Sequence, residues 1–402
     1  MTRADYDAII VGAGLVGSVA AVALARNGWR VAVIERRPRP SNPASGDARA
    51  LVLSAASQRI LTEYGLWSRL REAMWPIEQV HVAERSAFGT LDLYAADIAE
   101  AALGWSCRAD VLLHEFNQSL LDNPAIDVYW DCELERYESA PQAVRAILRS
   151  ADQLSEIEGR LLIGADGANS KVRELANFAL ESLDYGQTAI VCETDVEQAA
   201  PHCAIEYLTE HGPIAWIPTG ACRGVHVLCQ AHERALELTA LDDVTYAGQL
   251  AENFGFRLGR LSNLGPRRGH QLVLQRSAQI ASGRIILIGN ACNVVHPNGA
   301  QGLNLGLRDA FALATVCAAG KAHEHTSLVE RYRLARVADQ RQTVAMCHGL
   351  AQAFSSKLML ARATRRSLLN AFAMVRPMRQ RLAREAAGLN ALARIRDTQL
   401  AA

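Results

Sequence analysis

Three clusters of glycine and polar residues carry the chemistry available to this chain. The first is V-G-A-G-L-V-G, Val11 to Gly17, which follows the apolar run Ala8-Ile9-Ile10 and precedes a small-residue segment ending in Val31-Ala32-Val33-Ile34-Glu35. The spacing predicts a strand, a glycine turn, a helix, and a second strand closed by a carboxylate. Gly12 permits the tight turn, Gly14 lets backbone approach a pyrophosphate, and Gly17 lets the helix pack closely on the strand. Glu35 lies 18 residues beyond Gly17, where an acidic side chain accepts hydrogen bonds from an adenosine ribose. The ligand's charge would rest on the free N–H groups and positive end of a helix starting near Leu15. The pattern specifies a dinucleotide but does not decide between NAD and FAD.

The second cluster, L-L-I-G-A-D-G-A-N-S-K-V-R from Leu161 to Arg173, is an apolar strand ending in Asp166-Gly167, with Ser170 and Arg173 in the following turn and helix. The third, Leu287 to Gly306, is a strand, a glycine-punctuated loop and a helix start. Gly299, Gly302 and the amides around Leu303-Asn304 can form a helix N-terminus that favours an anion. Taken singly, these two also read as an Asp-Gly turn and a helix-capping loop.

The elements that must position these clusters alternate strand and helix. The 402 residues suffice for two cores, and an apolar half is normal for a globular enzyme. Lysine plus arginine equal aspartate plus glutamate at 42 each, so no global field recruits nucleic acid. The nine cysteines are scattered and never form C-x-x-C, which disfavours disulfide frameworks and metal sites and points to the reduced cytoplasm. The first strand begins too early for a cleavable leader, and no apolar stretch is long enough to span a bilayer.

The fold class is α/β in an α+β two-domain arrangement: a Rossmann-like nucleotide domain, an antiparallel-sheet second domain and a helical C-terminus. A discontinuous nucleotide domain is expected over 1–75, 105–180 and 276–345, the second domain over 76–104 and 181–275, and a helical region over 346–402. A Pro- and Ser-rich loop from Arg37 to Gly46 leads into a helical pattern from Leu51 to about Leu70. Strand-like runs at Thr188 to Cys192, Ile214 to Pro218 and Gly224 to Gln230 suggest an antiparallel sheet.

The three clusters in this order resemble the class A flavoprotein aromatic hydroxylases, and the resemblance covers essentially the whole chain. It implies that Gly12, Gly14, Gly17 and Glu35, with neighbouring Arg36, hold the ADP half of FAD. Asp166 and Gly167 would serve both FAD and the reducing nucleotide. Gly289, Asn290, Pro297, Gly299, Gln301, Gly302, Leu303 and Asn304 would line the ribityl chain and the flavin ring. Within that family the chain is similar to the ubiquinone-biosynthesis hydroxylases. Gly46-Asp47-Ala48-Arg49-Ala50-Leu51 looks like the D-A-R-A segment of the branch acting on 2-polyprenyl-6-methoxyphenol, with Arg49 near the FAD diphosphate and Arg108 a second candidate at the phosphates. His211 to Pro218 resembles the family's substrate-domain strand. The chain departs from the family at Asn290, which replaces an aspartate, at Asn293, where relatives have histidine, and at Gly299-Ala300, which reverses an Ala-Gly order. His296 is read as structural.

The resemblance implies that NADPH or NADH reduces FAD, that oxygen adds to give a C4a-hydroperoxide, and that one oxygen atom passes to a lipophilic, electron-rich phenol. Helix-start amides after Pro297 would stabilise the anionic reduced flavin. No second glycine motif exists for the nicotinamide nucleotide. A base would help deprotonate the phenol; His211 and Tyr207 lie in the right domain, though each also reads as a packed residue. Between Lys357 and Arg396 the net charge is +9, and Leu368, Phe372, Val375, Met378 and Leu382 recur at helical spacing, with Arg366, Arg381 and Arg384 off that stripe. Such a helix suits the inner face of an anionic membrane, a second subunit, a quinone-biosynthesis complex, or packing on its own protein; Arg379 intrudes on the stripe and Pro377 should kink it. Two other functions share this scaffold: an FAD-dependent isoprenoid reductase or oxidase, and a non-catalytic flavoprotein subunit.

Overall fold

A computed structural model describes residues 5–40, 47, 49–84, 90–140, 142–198, 200–209, 211–255, 257–319, 325–355 and 371–400. The strand Tyr6–Val11 lies at the centre of the first sheet, between Val31–Glu35 and Gln153–Gly164, and all three run parallel. Ile126–Trp130 extends the parallel array on one side and Ile285–Leu287 on the other. These strands read as near-continuous apolar runs because helices cover both faces of a parallel sheet. The helix Leu15–Arg26 buries every residue from Gly17 to Leu24. Its small side chains let it fit between the sheet and the helices Ala109–Leu121 and Gln301–Ala319. Glu133–Ser139 and Val144–Ser150 add an antiparallel flap to the outer half of Gln153–Gly164.

The second sheet has nine strands, and its backbone is the pair Leu180–Val196 and Arg268–Ser277. Arg223–Ala231, Gly212–Pro218 and Cys203–Thr209 follow in antiparallel order, and Gln79–Glu84 then adds in parallel beside Cys203–Thr209. The helices His232–Ala240 and Asp243–Asn253 close one face, burying Ile190, Ile214, Trp216, Leu228, Tyr246 and Phe254. The opposite face carries only a small cluster, Ala189, Cys229 and Leu272, with Tyr185 and Val227 beside it. The two-residue strand Asn293–Val294, inside the third glycine cluster, pairs with Arg276 and Gln275 and so ties that loop to the second sheet.

Two expectations need correction. Leu51 does not start a helix: Ala50–Ser54 is a strand paired with Gly104–Arg108, which also pairs with Trp75–Ile77, and the helix begins at Ala55. A short apolar run cannot be told from a helix start when its partner lies some fifty residues away. Nor does Pro377 kink a helix; it opens one, Arg376–Ala386, after Val375 leaves helical geometry. Proline is favoured in a first turn because its missing N–H costs no hydrogen bond there. The apolar stripe is therefore broken at Val375, and its member Leu368, like Arg366 off the stripe, lies outside the described residues. Arg379, which intrudes on the stripe, pairs with Asp97 at 2.9 and 3.0 Å and packs this helix on its own protein. A last helix, Leu389–Leu400, packs on Gln301–Ala319.

Candidate active site

The three glycine-bearing clusters converge at the ends of the central strands. Ala165 N–H donates to Val11 O at 2.9 Å, and Ile288 N–H donates to Gly164 O at 2.9 Å. A Cβ on Gly12 would lie 2.6 Å from Ala165 O, and one on Gly17 would lie 2.0 Å from Gly12 O. Only glycine fits either place, so the turn, the helix and the Asp166-Gly167 segment are fixed against each other. Arg173 completes the stitch: it is 7 % exposed, and its guanidinium donates to Ala291 O at 2.9 Å and Ala168 O at 2.8 Å, joining the second cluster to the third.

Glu35 is buried at the end of its strand and reaches back to the glycine turn, accepting from Ala13 N–H at 2.8 Å. Its carboxylate also accepts from Arg37 backbone N–H and guanidinium. Burial raises the Glu35 pKa, but the Arg37 and Ala13 hydrogen bonds outweigh it and hold the group below the usual carboxylate range. Arg36 points to solvent. Asp166 accepts from the N–H groups of Lys171 and Val172 through one oxygen. The other oxygen, Oδ1, is buried without a partner. An unpaired buried acceptor costs about 1–3 kcal/mol, and this one sits beside the Gly12 turn, where a ligand hydroxyl could donate to it.

In the third cluster, Gly289 N–H donates to Asp309 Oδ2 at 3.0 Å. Asn290, Pro297 and Gly299 are exposed, while Gln301 and Asn304 are buried. Gln301 spends its amide on Gly299 O and Ala386 O. Asn304 binds Ser54 N–H, Ser57 Oγ, Val52 O and Ala300 O, pinning strand Ala50–Ser54 to the helix. What these two residues offer a ligand is backbone, together with Gly302 and Leu303, whose amides fall in the unpaired first turn of Gln301–Ala319. The reversed Gly299-Ala300 pair puts alanine at φ 52, a left-handed conformation that costs roughly 1–2 kcal/mol for a residue with a Cβ.

Arg108 ends its strand opposite Ala50, Arg49 immediately precedes Ala50, and Ala109 N–H donates to Arg49 O. Each guanidinium is held by an aspartate two residues away, Asp47 at 2.7 Å and Asp110 at 2.7 Å. Arg108 also faces Glu193 of the second sheet at 3.8 Å. His296 is 1 % exposed, burial pushes its pKa down to about 4, and its Nδ1 accepts from Asn298 N–H. Its ring meets Tyr185 edge-on, and the Tyr185 hydroxyl meets His348 Nδ1 at 3.0 Å. Asn293 donates to Cys292 Sγ.

Sequence reasoning missed the ion network beneath the third cluster. Asp309 accepts from Arg336 Nε at 2.7 Å, and Asp339 accepts from Arg336 at 2.7 Å and from Arg308 at 2.8 Å. All four residues are buried. The signal was present in Arg308-Asp309, adjacent charges inside an otherwise apolar helix, for buried charges require partners.

The half-open face of the second sheet looks toward this site. Tyr185 touches His296, Glu193 faces Arg108, and His270 feels the charges of Arg49 and Asp47. One row across that face runs Val82, Glu206, Ala215, Val227, Val191, and each of these is only half-buried. Small and aliphatic side chains thus form a wall suited to an apolar ring.

Residues 5–346 match the family described as FAD binding domain. The chain is 31 % identical over 394 residues to the ubiquinone hydroxylase UbiL of Rhodospirillum rubrum, covering 95 % of this chain and 89 % of that one. It is 28 % identical to the 3-demethoxyubiquinol 3-hydroxylase of Escherichia coli, over 84 % of this chain and 87 % of that one. Its fold is similar to that of p-nitrophenol 4-monooxygenase PnpA from Pseudomonas putida, with a TM-score of 0.78 at 15 % identity, covering 96 % and 98 % of the two chains. The chain belongs to the FAD binding domain family. It is an FAD-dependent aromatic monooxygenase of the class A type, and FAD is its cofactor. The glycine cradle at Gly12 and Gly17 and the unpaired Asp166 Oδ1 fit that group.

Proposed function

We propose that this enzyme hydroxylates the ring of a polyprenylated phenol of the 2-polyprenyl-6-methoxyphenol type in ubiquinone biosynthesis. The observation that carries the reading is the half-open row of small and aliphatic residues from Val82 to Val191, which carries one carboxyl group and lies on the sheet face that meets His296 of the third glycine cluster through Tyr185. The D-A-R-A segment at Asp47 to Ala50 and the names of the two relatives support it.

Bound FAD supplies electron uptake from NADPH or NADH and the activation of oxygen. The chain's own residues do the rest. Gly12, Gly14, Gly17 and Glu35, with Arg36, would hold the ADP half, and Arg49 and Arg108 would approach the phosphates. Asp166 and Gly167 would serve both FAD and the reducing nucleotide. Gly289, Asn290, Pro297, Gly299, Gln301, Gly302, Leu303 and Asn304 form the ring end, where the first-turn amides of Gln301–Ala319 balance negative charge. The aliphatic wall excludes water. Incubating the FAD-loaded enzyme with NADPH, labelled oxygen and a short-chain 2-prenyl-6-methoxyphenol should place one labelled atom in each product molecule. Oxidised or reduced product without label would indicate the isoprenoid reductase or oxidase chemistry instead.

We further propose that the enzyme rests on the inner face of a membrane, where such a lipid resides. Among the described residues no helix is long and apolar enough to cross one. Met374, Val375 and Met378 are exposed at 85, 43 and 38 %, next to exposed Arg376 and Arg381. Apolar anchors ringed by arginine suit an anionic interface. Deleting the tail is a poor test, because Ala386 O binds Gln301 and Leu389, Leu392 and Ile395 belong to the core. The double substitution Met374→Glu and Met378→Glu should instead abolish flotation with vesicles containing phosphatidylglycerol while the flavin spectrum stays unchanged. Flotation equal to wild type removes this proposal.

A further inference from the structure

Glu206 lies on Cys203–Thr209, and its backbone pairs with Ala215 on one side and Val82 on the other. Side chains alternate between faces along a strand. Its neighbours Ile205 and Tyr207 therefore point into the helix-covered core, where Tyr207 packs against His81 and Phe254. Glu206 points the other way, onto the half-open face that meets Arg108, Arg49 and His296 through Glu193, His270 and Tyr185 on its other strands.

The surroundings of this carboxyl group are apolar. Its cross-strand neighbours on the same face are Val82 and Ala215, with Val227 one strand further. Among the described residues it has neither a hydrogen-bond partner nor a counter-ion. Burial pushes it up to about 7. On the same face the adjacent strand carries buried Glu84, two residues beyond Val82, and two strands away lies Cys229, whose thiol burial, with the Glu206 charge adding to it, pushes up to about 12. Along the same face lie His270, Glu193 and Arg268, and His348 reaches it from the helix His325–Ser355 through Tyr185. On the opposite face, His81 and Asp92 pair with each other. A carboxyl group set between Val82 and Ala215 with no hydrogen-bond partner among the described residues has no structural task to account for its burial.

We infer that Glu206 is the catalytic base of the hydroxylation, accepting the proton of the substrate's phenolic hydroxyl. This rests on the phenol reading above. In the step, the phenol O–H bond breaks and an O–H bond forms on the Glu206 carboxylate. The electron pair stays on the phenolate oxygen and enriches the ring carbons ortho and para to it, those that accept oxygen. Solvent removes the proton from Glu206 before the next turnover. A base that titrates near neutrality can both take and release the proton under working conditions. The base form exists above the group's pKa, so hydroxylation should rise as pH increases through about 7.

The test compares the FAD-loaded wild type with E206Q and E206D, using the short-chain 2-prenyl-6-methoxyphenol as probe. E206Q should keep its flavin spectrum. Its hydroxylated product per unit time should fall on the order of a hundredfold, and the rise through neutral pH should vanish. E206D should restore part of the rate and a pH-dependent limb. An active wild type whose E206Q variant keeps both its rate and its pH limb overturns the inference alone. A wild type that leaves the phenol untouched overturns the substrate reading and this inference with it.

Discussion

Replacing Gly14 by valine should give a folded protein that purifies without FAD. A Cβ built on Gly14 meets no atom of the protein within 4 Å, and the residue lies at φ −73, ψ −179, an extended conformation open to valine. Nothing within 4 Å opposes the Cβ, and the cost as a cap for the helix Leu15–Arg26 is within about 1 kcal/mol. The two methyl groups would occupy the approach to the helix N-terminus, where a pyrophosphate needs bare backbone. FAD affinity should fall at least about a hundredfold, or roughly 2.8 kcal/mol, with the FAD-free protein melting near the wild-type FAD-free temperature. Gly17→Ala makes the contrasting case: its methyl group meets Gly12 O at 2.0 Å, so the helix must leave the strand and the protein should be insoluble. A Gly14→Val protein that binds FAD with wild-type affinity would show that the ligand does not pass this glycine.

The contrast between those two glycines indicates what the sequence makes legible. Glycine spacing, a preceding apolar run and an acid at the next strand end are local patterns with one geometric solution, so Gly12 and Glu35 stand at the ends of adjacent parallel strands and Gly17 in the helix between them, as the pattern requires. Residues whose side chains turn inward were harder to read. Asn304 and Gln301 occupy the expected loop, yet both are absorbed by hydrogen bonds to segments distant in sequence, Ser54 and Ala386. No single-chain pattern announces a partner two hundred and fifty residues away.

Side-chain direction on the second sheet was hidden for a related reason. Tyr207 and His211 stood out as titratable residues in the right domain, but Tyr207 faces the helices and His211 is exposed beside the turn that begins strand Gly212–Pro218. The adjacent Glu206 faces the site. A one-residue change of strand face separates these outcomes, and only the register against Ala215 and Val82 fixes it. The basic tail posed the converse difficulty. Its helical spacing was real, but Pro377 starts a helix instead of bending one, and Arg379 is committed to Asp97.

Asp309→Asn should be among the most destabilising substitutions in the chain. Asp309 joins the third glycine cluster to two helices: one oxygen holds Gly289 N–H, and the other accepts from Arg336 and Gln340. An asparagine turns an NH2 group toward donors on one side or the other, and the lost charge leaves Arg336 and Arg308 sharing Asp339 alone. Breaking a buried pair from one side costs about 3–5 kcal/mol, because a buried charge is left uncompensated. The urea midpoint of the FAD-free protein should drop accordingly, and FAD should dissociate more readily as the Gly289 turn loosens. Replacing both partners, Asp309→Leu with Arg336→Met, should recover part of that loss, the signature of coupling in a double-mutant cycle. Acid should act through the same network. Burial raises the Asp339 pKa, but Arg336 and Arg308 together outweigh it and bring the group from 3.8 down to about 2. Its contribution is complete above pH 4 and disappears as pH falls through 2. Arg336→Met removes one of the two cations, lifts the Asp339 pKa, and should shift acid unfolding to higher pH. Acid unfolding at the wild-type pH in that variant would mean that the network does not couple to folding.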